Sequence, residues 1–186
     1  MFYRVILFFL LFQFFSITNS KAQNSELDIG VRLQKSVNLY YENGFTAQYT
    51  NNRLYSKRLY FGISYVTSRL GSAIGSNAIN QDNIFLSTTY FFRPDRKLQP
   101  FLRLNTGYFY SDLEEEIFDD LPNSSILLSP EAGIRLKTNS PLKVGASFGY
   151  NIITGDGRKG PGTLYPVFIQ SSITWSILNN TDQNEK

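Results

Sequence analysis

Hydrophobic and polar residues alternate with a period of two along most of the chain. The alternation is clearest where Leu27, Ile29, Val31 and Leu33 are each followed by a polar residue or a glycine. Because successive side chains of a β-strand point to opposite faces, this pattern predicts a strand with one apolar and one polar face. The second and fourth segments with this pattern alternate less regularly, so their registers stay open. Eight strands are predicted in all, near residues 26–37, 44–51, 58–69, 83–93, 100–111, 126–137, 142–152 and 164–178.

The polar face of these strands carries few long charged side chains and many small residues. A strand face in water normally carries more lysine, glutamate and threonine, and glycine weakens it. Small side chains suit the interior of a narrow eight-stranded barrel, which has room for little more than the side chains themselves. The small residues of this face are Gly30, Gly62, Ser64, Gly107, Gly133, Gly145, Ser147, Gly149 and Ser172.

The apolar face carries aromatic residues near the strand ends. Aromatic girdles at the two membrane–water interfaces are typical of barrels that turn their apolar face to lipid. We therefore predict that the apolar face points outward, while a soluble barrel or sandwich with the apolar face inside stays open as an alternative. The predicted interface aromatics are Tyr65, Tyr90, Phe92, Tyr108, Tyr110, Tyr150, Tyr165 and Trp175.

The connections between the predicted strands alternate between short and long. The short ones span residues 51–53, 94–99 and 138–141, and the longer polar ones span 71–82, 112–125 and 154–163. Short periplasmic turns and long external loops are typical of outer-membrane barrels. The predicted fold is all-β: an eight-stranded antiparallel up-and-down transmembrane β-barrel.

The N-terminus has the organisation of a secretory signal peptide. Arg4 supplies a positive charge, residues 5–15 are apolar apart from Gln13, and Ala22 ends a small-x-small cleavage site. The apolar run is about half of the roughly 20 residues that a membrane-spanning helix needs, which favours a signal over an anchor. The predicted organisation is a signal peptide (1–22), an outer-membrane β-barrel (23–178) and a polar C-terminal tail (179–186).

Composition narrows the possible chemistry. The chain contains neither cysteine nor histidine, which excludes disulfides, thiol nucleophiles, histidine-based triads and ordinary zinc hydrolase sites. We therefore expect no enzyme activity, no metal and no cofactor. Removal of Arg4 and Lys21 with the signal would leave 18 − 2 = 16 cations against 15 acids. So small a net charge predicts no nucleic-acid partner.

Charged residues on the polar face form the first candidate site. They are Asp28, Arg32, Arg103, Glu131 and Arg135. Inside a barrel they would either gate a narrow pore or pair with one another as a plug, because an unpaired buried charge is costly. Glu131 is the only acid on the polar face of its strand, and Arg103 on the neighbouring strand is its first expected partner.

An acidic loop forms the second candidate site. Hard cations prefer carboxylate oxygens, so such a loop could hold Ca²⁺ or bridge to lipopolysaccharide phosphates through divalent ions. It lacks the regular spacing of a preorganised calcium loop, and a solvated, self-repelling loop is the alternative. Its acids are Asp112, Glu114, Glu115, Glu116, Asp119 and Asp120.

The signal-like N-terminus and the eight amphipathic strands resemble the eight-stranded outer-membrane barrels of the OmpA, OmpX and OmpW type. The resemblance implies an outer-membrane location, contact with membrane lipid and lipopolysaccharide, recognition by the insertion machinery, and a monomeric state. One departure is that a polar tail follows the last aromatic strand, which contains Trp175. Family members often end on an aromatic residue that the insertion machinery reads.

Three functions remain open. The first is a non-enzymatic structural or surface-interaction role through the external loops. The second is a small channel or a lateral path for small or hydrophobic solutes, as the OmpW-type resemblance implies. The third is a secreted soluble barrel that binds a lipophilic ligand inside.

Overall fold

The computed structural model describes residues 25–36, 41–71, 77–113, 123–153 and 167–179. All regular elements in these residues are strands, and every pairing between them is antiparallel. The predicted signal peptide and the tail beyond Asn179 lie outside the described residues. The strands are β1 (Ser25–Ser36), β2 (Tyr41–Asn51), β3 (Leu59–Gly71), β4 (Asn77–Phe91), β5 (Leu98–Leu113), β6 (Ser124–Lys137), β7 (Leu142–Tyr150), β8 (Ile152–Ile153) and β9 (Val167–Asn179).

The strands close into a ring. Neighbours run in the order β5-β4-β3-β2-β1-β9-β7-β6, and an additional β5–β6 pairing joins the two ends. The short β8 continues β7 across Asn151 and pairs with β6 just beyond the β6–β7 ladder. β7 and β8 therefore form one strand of the barrel, which has eight. Closure leaves no unpaired sheet edge along the ring.

The predicted strand pattern is confirmed, with most strand ends lying further out than predicted. The largest correction concerns the loop predicted at 71–82: β4 begins at Asn77, and Ile79 to Asp82 pair with β3 and β5. These residues are mostly polar on both faces, so the alternation that predicts a strand is missing there. The ladder hydrogen bonds continue into this polar segment regardless.

The two faces are inverted relative to a soluble barrel. Outward residues of β1 such as Ile29 and Leu33 are 44% and 54% exposed, whereas the inward Asp28 and Arg32 are 0% and 1% exposed. Buried and more exposed residues also alternate along β4 from Phe85 to Phe91, and both of these phenylalanines are buried. The surface of the barrel wall is therefore apolar, and its interior is largely polar.

The three short turns all lie at the end of the barrel where β1 begins and β9 ends. The turn between β2 and β3 starts with the Asn51 side chain accepting a hydrogen bond from the Arg53 amide at 3.1 Å. Tyr55, Ser56 and Lys57 then have φ angles of 49°, 52° and 61°. Three consecutive non-glycine residues in the left-handed region are costly, about 1–2 kcal/mol each. The segments 37–40, 72–76, 114–122 and 154–166 lie outside the described residues.

No helix in the described part of the chain is long and apolar enough to cross a membrane.

Candidate functional site

The barrel lumen collects the charged residues that the alternation assigned to the polar face. Asp28 and Arg32 lie on β1, Arg103 on β5, and Glu131 and Arg135 on β6. All five are buried, with at most 7% of each residue exposed. The structure brings them together in two ion-pair clusters, one at the centre of the barrel and one nearer the short turns.

Glu131 is the centre of the first cluster. Its carboxylate accepts hydrogen bonds from Arg32 Nη2 at 3.3 Å and Arg103 Nη1 at 3.1 Å. Asn105 Nδ2, Ser147 Oγ and Gln170 Nε2 donate to it at 3.1, 2.7 and 3.3 Å. The expected Arg103 partner is present, and the donors come from β1, β5, β7 and β9. A single carboxylate therefore connects four strands to β6 across the lumen.

Arg32 extends this cluster towards β3. Its Nε donates to Gln170 Oε1 at 2.7 Å, its Nη1 donates to Ser64 Oγ at 3.0 Å, and its Nη2 also contacts Gln170. Arg103 Nε donates to Thr89 on β4 at 2.8 Å. The two guanidinium groups are thus satisfied by one carboxylate and several neutral acceptors, as buried charges require.

The second cluster lies nearer the short turns and centres on Asp28. Lys143 Nζ lies 2.7 Å from both carboxylate oxygens, and Ser176 Oγ donates to Oδ1 at 2.7 Å. Arg135 Nη1 pairs with the same carboxylate at 3.3 Å. Lys143 also pairs with Glu26, whose Oε2 accepts a hydrogen bond from Tyr60 at 3.0 Å.

Aromatic rings close the lumen beside the second cluster. Arg135 lies over the ring of Phe91, with Cζ 3.8 Å from its centroid, and 4.8 Å from the centroid of Tyr60. Tyr60, Phe91 and Phe101 form a buried cluster with edge-on and tilted ring contacts. Cation–π contacts of this kind are stronger where the cation is desolvated. The short-turn end of the lumen therefore contains edge-on and tilted aromatic rings and a guanidinium.

A second apolar layer lies towards the opposite end. Val66, Phe85, Phe109 and Leu127 form a buried cluster contributed by four consecutive strands of the ring. On the side of the ring formed by β3 to β6, the two ion-pair clusters therefore lie between two apolar layers.

Sequence reasoning missed three charged members of the lumen. Glu26 is the second residue of β1, and Glu42 precedes the segment predicted as the second strand. Lys143 lies on β7 and is not among the charged residues predicted for the lumen. With them, the buried charges of the described residues are four acids and four bases: Glu26, Asp28, Glu42 and Glu131 against Arg32, Arg103, Arg135 and Lys143.

One row of the lumen holds polar atoms without partners. Ser87, Asn105 and Ser129 are direct register neighbours on β4, β5 and β6. Ser87 Oγ, Asn105 Oδ1 and Ser129 Oγ are buried and make no hydrogen bond. The row lies between the Glu131 cluster and the apolar layer that contains Phe85. Among the described residues, three unpartnered polar atoms therefore lie side by side in this row.

The acidic loop is described only at its first residue. Asp112 is exposed near the end of β5. The other five acids, Glu114, Glu115, Glu116, Asp119 and Asp120, lie outside the described residues. Within the described residues, no group of three potential metal-binding side chains comes together.

The predicted interface aromatics lie on the outer wall at two levels. Tyr90, Phe92 and Trp175 lie towards the short turns. Towards the other end, Tyr65, Tyr108, Tyr110 and Tyr150 are 39–57% exposed. The Tyr65 hydroxyl donates to Asp82 at 2.7 Å. Tyr165 lies outside the described residues.

The closed ring, the inverted faces and the ion-paired polar lumen define an eight-stranded β-barrel of the transmembrane type. No protein-family model matches the chain, and no curated protein is similar to it in sequence. Solved structures do match it.

The N-terminal β-barrel domain of OprF from Pseudomonas aeruginosa is 12% identical with a TM-score of 0.60, and the match covers 83% of this chain and 98% of that one. Neisserial surface protein A (NspA) is 19% identical with a TM-score of 0.50, covering 81% and 94%. Ail of Yersinia pestis, in a phospholipid bilayer nanodisc, is 14% identical with a TM-score of 0.50, covering 82% and 99%. At these identities the likeness establishes the fold, and it confirms the resemblance to eight-stranded outer-membrane barrels at that level.

Proposed function

We propose that this protein is a non-enzymatic barrel of the bacterial outer membrane with a structural or surface-interaction role through its external loops. The observation that carries the proposal is the combination of an apolar outer wall with a lumen that contains buried, paired charges. Such a wall is stable in lipid and costly in water. Such a lumen leaves the segments that join β3 to β4, β5 to β6 and β8 to β9 as the surfaces available to partners.

Several observations support the absence of catalysis. The chain has no histidine or cysteine. The buried acids of the two ion-pair clusters contact buried bases, so they are engaged in holding the barrel. A catalytic acid or base would instead face a space that a substrate can enter.

The membrane partners follow from the same wall. Aromatic residues at two levels would sit in the two interfacial regions, with the apolar wall between them in contact with lipid. Ail, whose fold is similar, has been studied in a phospholipid bilayer nanodisc. We further propose that the chain is exported by its signal peptide, inserted by the outer-membrane machinery as a monomer, and surrounded on the outside by lipopolysaccharide. The acidic loop would contact the phosphates of lipopolysaccharide through bridging divalent cations.

The first experiment is fractionation of the expressed protein, followed by gel electrophoresis with and without boiling. We expect recovery in the outer membrane and faster migration of the unboiled sample, because a closed barrel resists unfolding by detergent. Recovery as a soluble protein in the periplasm or medium would overturn the proposal. It would support the soluble barrel with a lipophilic ligand.

A channel is the second candidate, and the unpartnered polar row at Ser87, Asn105 and Ser129 favours it. These atoms could face water if the lumen opened. Planar bilayer recordings separate the two functions: a filled lumen predicts no discrete conductance steps. Steps in the purified wild-type barrel would favour the channel.

A further inference from the structure

The short-turn end of the barrel carries a rim of cations. Seven lie in the three short turns or beside them, against one acid, Asp95. Six of the seven are exposed and Lys57 is half-buried. Within the described part of the chain none of the seven forms an ion pair. The cations of this basic rim are Arg53, Lys57, Arg58, Arg93, Arg96, Lys97 and Lys137.

The basic rim follows the perimeter of the barrel. The turns after β2, β4 and β6 are neighbours around the ring. Backbone hydrogen bonds join adjacent parts of the rim: the Phe91 amide donates to the Arg58 carbonyl at 2.8 Å, and the Lys137 amide donates to the Lys97 carbonyl at 2.8 Å. The cations therefore form an arc spanning β2 to β7 and are not confined to one patch.

The depth of the rim relative to the apolar wall is well defined. Phe92, Leu98 and Leu136 are 48%, 51% and 48% exposed on the outer wall. Each is the chain neighbour of a rim cation, namely Arg93, Lys97 and Lys137 respectively. Since a strand rises about 3.3 Å per residue, the charged groups begin within one residue of the lipid-facing surface. That is the depth of phospholipid headgroups.

An open depression lies in the middle of the rim. It has a volume of 730 Å³ and is lined by Arg93, Asp95, Arg96, Lys97, Leu98 and Pro100. Three cations and two apolar residues in one opening match a ligand that is anionic at one end and hydrocarbon at the other. Arg58 Nη1 also lies 3.5 Å from the Tyr90 hydroxyl, so a rim cation and an interface aromatic share one site nearby.

The opposite end of the described barrel does not repeat this pattern. Its outward polar residues include Asp82 and Asp112, near Tyr65 and Tyr110. Among the described residues, that end therefore has acids beside its interface aromatics together with the exposed Lys35, whereas the short-turn end has seven cations and one acid.

We propose that the basic rim binds the phosphate headgroups of anionic phospholipids in the leaflet at the short-turn end, with Arg93, Arg96 and Lys97 as its central site. The proposal rests on the membrane location proposed above. Cations near an anionic leaflet contribute about 1 kcal/mol each, or roughly fivefold in affinity. An arc at constant depth around the perimeter fits a lipid leaflet better than an acidic protein, which would contact one side of the rim.

The test uses tryptophan fluorescence quenched by brominated lipids. Trp175 is the only tryptophan, so Trp175→Phe gives a silent background. Phe92→Trp in that background reports on lipid beside Arg93, and Tyr110→Trp reports on the opposite end. Each reporter is reconstituted in phosphatidylcholine bilayers that contain brominated phosphatidylcholine or brominated phosphatidylglycerol, with the same composition in both leaflets.

We expect the reporter at position 92 to prefer brominated phosphatidylglycerol by about fivefold at low salt, and the preference to fall as salt screens the charges. The reporter at position 110 should show no such preference. Arg93→Gln, Arg96→Gln and Lys97→Gln combined should abolish the preference at position 92. Asp95→Asn on the same turn should keep or increase it.

Equal quenching by both lipids at position 92, or a preference that survives the triple substitution, would overturn the inference. An acidic macromolecule would then be the better candidate for the rim. The absence of quenching by either lipid at both positions would instead contradict the membrane location. The two failures are therefore distinguishable.

Discussion

Glu131 has more donors around it than any other acid described in the lumen, and that determines how substitutions there should act. Glu131→Gln keeps the shape but leaves Arg32 and Arg103 buried without a counter-charge. Loss of one partner from a buried ion pair costs about 3–5 kcal/mol. We expect a loss of this size in the free energy of unfolding, measured by urea titration of the barrel in lipid vesicles.

Glu42→Gln is the matched control for this prediction. Glu42 is also buried in the lumen, but among the described residues it contacts Gln34 and is in no ion pair. Its neutralisation should therefore change stability by less than about 1 kcal/mol. Equal losses in the two variants would mean that the ion pairs of Glu131 contribute nothing specific.

Gly149 allows a second prediction about single residues. A Cβ at this position would lie 2.3 Å from Cζ of the Phe168 ring, and Phe168 is itself 1% exposed. Forcing an extra carbon into such packing costs about 1–3 kcal/mol. We expect Gly149→Ala to lower the urea midpoint by a corresponding amount.

The matched control for Gly149 is Gly145 on the same strand. A Cβ at Gly145 would meet mainly the Ser172 hydroxyl, at 2.6 Å, and that side chain can rotate away. Gly145→Ala should therefore be better tolerated than Gly149→Ala. The reverse order would contradict the inward position of the Phe168 ring against β7.

At the scale of the strand, depth in the membrane should decide the cost of a charge on the outer wall. Leu104 lies midway along β5 between Leu98 and Tyr110, and its side chain points outward. Leu104→Arg should cost about 2–4 kcal/mol in a bilayer, and Tyr110→Arg about 0–1 kcal/mol. Unfolding titrations in vesicles measure both. If the wall faced water, arginine would be tolerated equally at both positions.

The same strands explain how far the sequence could predict the fold. Where one face is apolar and the other polar, as from Leu27 to Gln34, the period of two identifies the strand and its faces. The polar extension of β4 at Asn77 to Asp82 has no such contrast, because most of its residues are polar. Strand ends in that region depend on hydrogen bonding with neighbours, which leaves no hydrophobic pattern.

The sequence predicts most of the charged residues that face the lumen, but only some of the ion pairs between them. Arg103 and Glu131 lie on adjacent strands in direct register, so their pairing follows from neighbouring positions in the ladder. Arg32 reaches Glu131 across the barrel from 99 residues away in the chain. That contact depends on the tilt and stagger of the closed ring, which alternation along the sequence does not encode.

For the whole molecule, the orientation in the membrane can be tested directly because the chain has no cysteine. Asp112 and Asn139 are exposed at opposite ends of the barrel, so Asp112→Cys and Asn139→Cys each introduce one reactive thiol. With short turns in the periplasm, a membrane-impermeant maleimide should label position 112 in intact cells. Position 139 should be labelled only after the outer membrane is permeabilised.

A third variant connects orientation with the closed lumen. Ser129 is 0% exposed and belongs to the polar row between the Glu131 cluster and the apolar layer that contains Phe85. Ser129→Cys should resist the maleimide both before and after permeabilisation, because the apolar layers block access from both ends. Labelling of position 129 in intact cells would mean that the lumen opens to the outside, and the channel would become the better function. Labelling of 139 but not 112 in intact cells would reverse the orientation, and the basic rim would then face the outer leaflet.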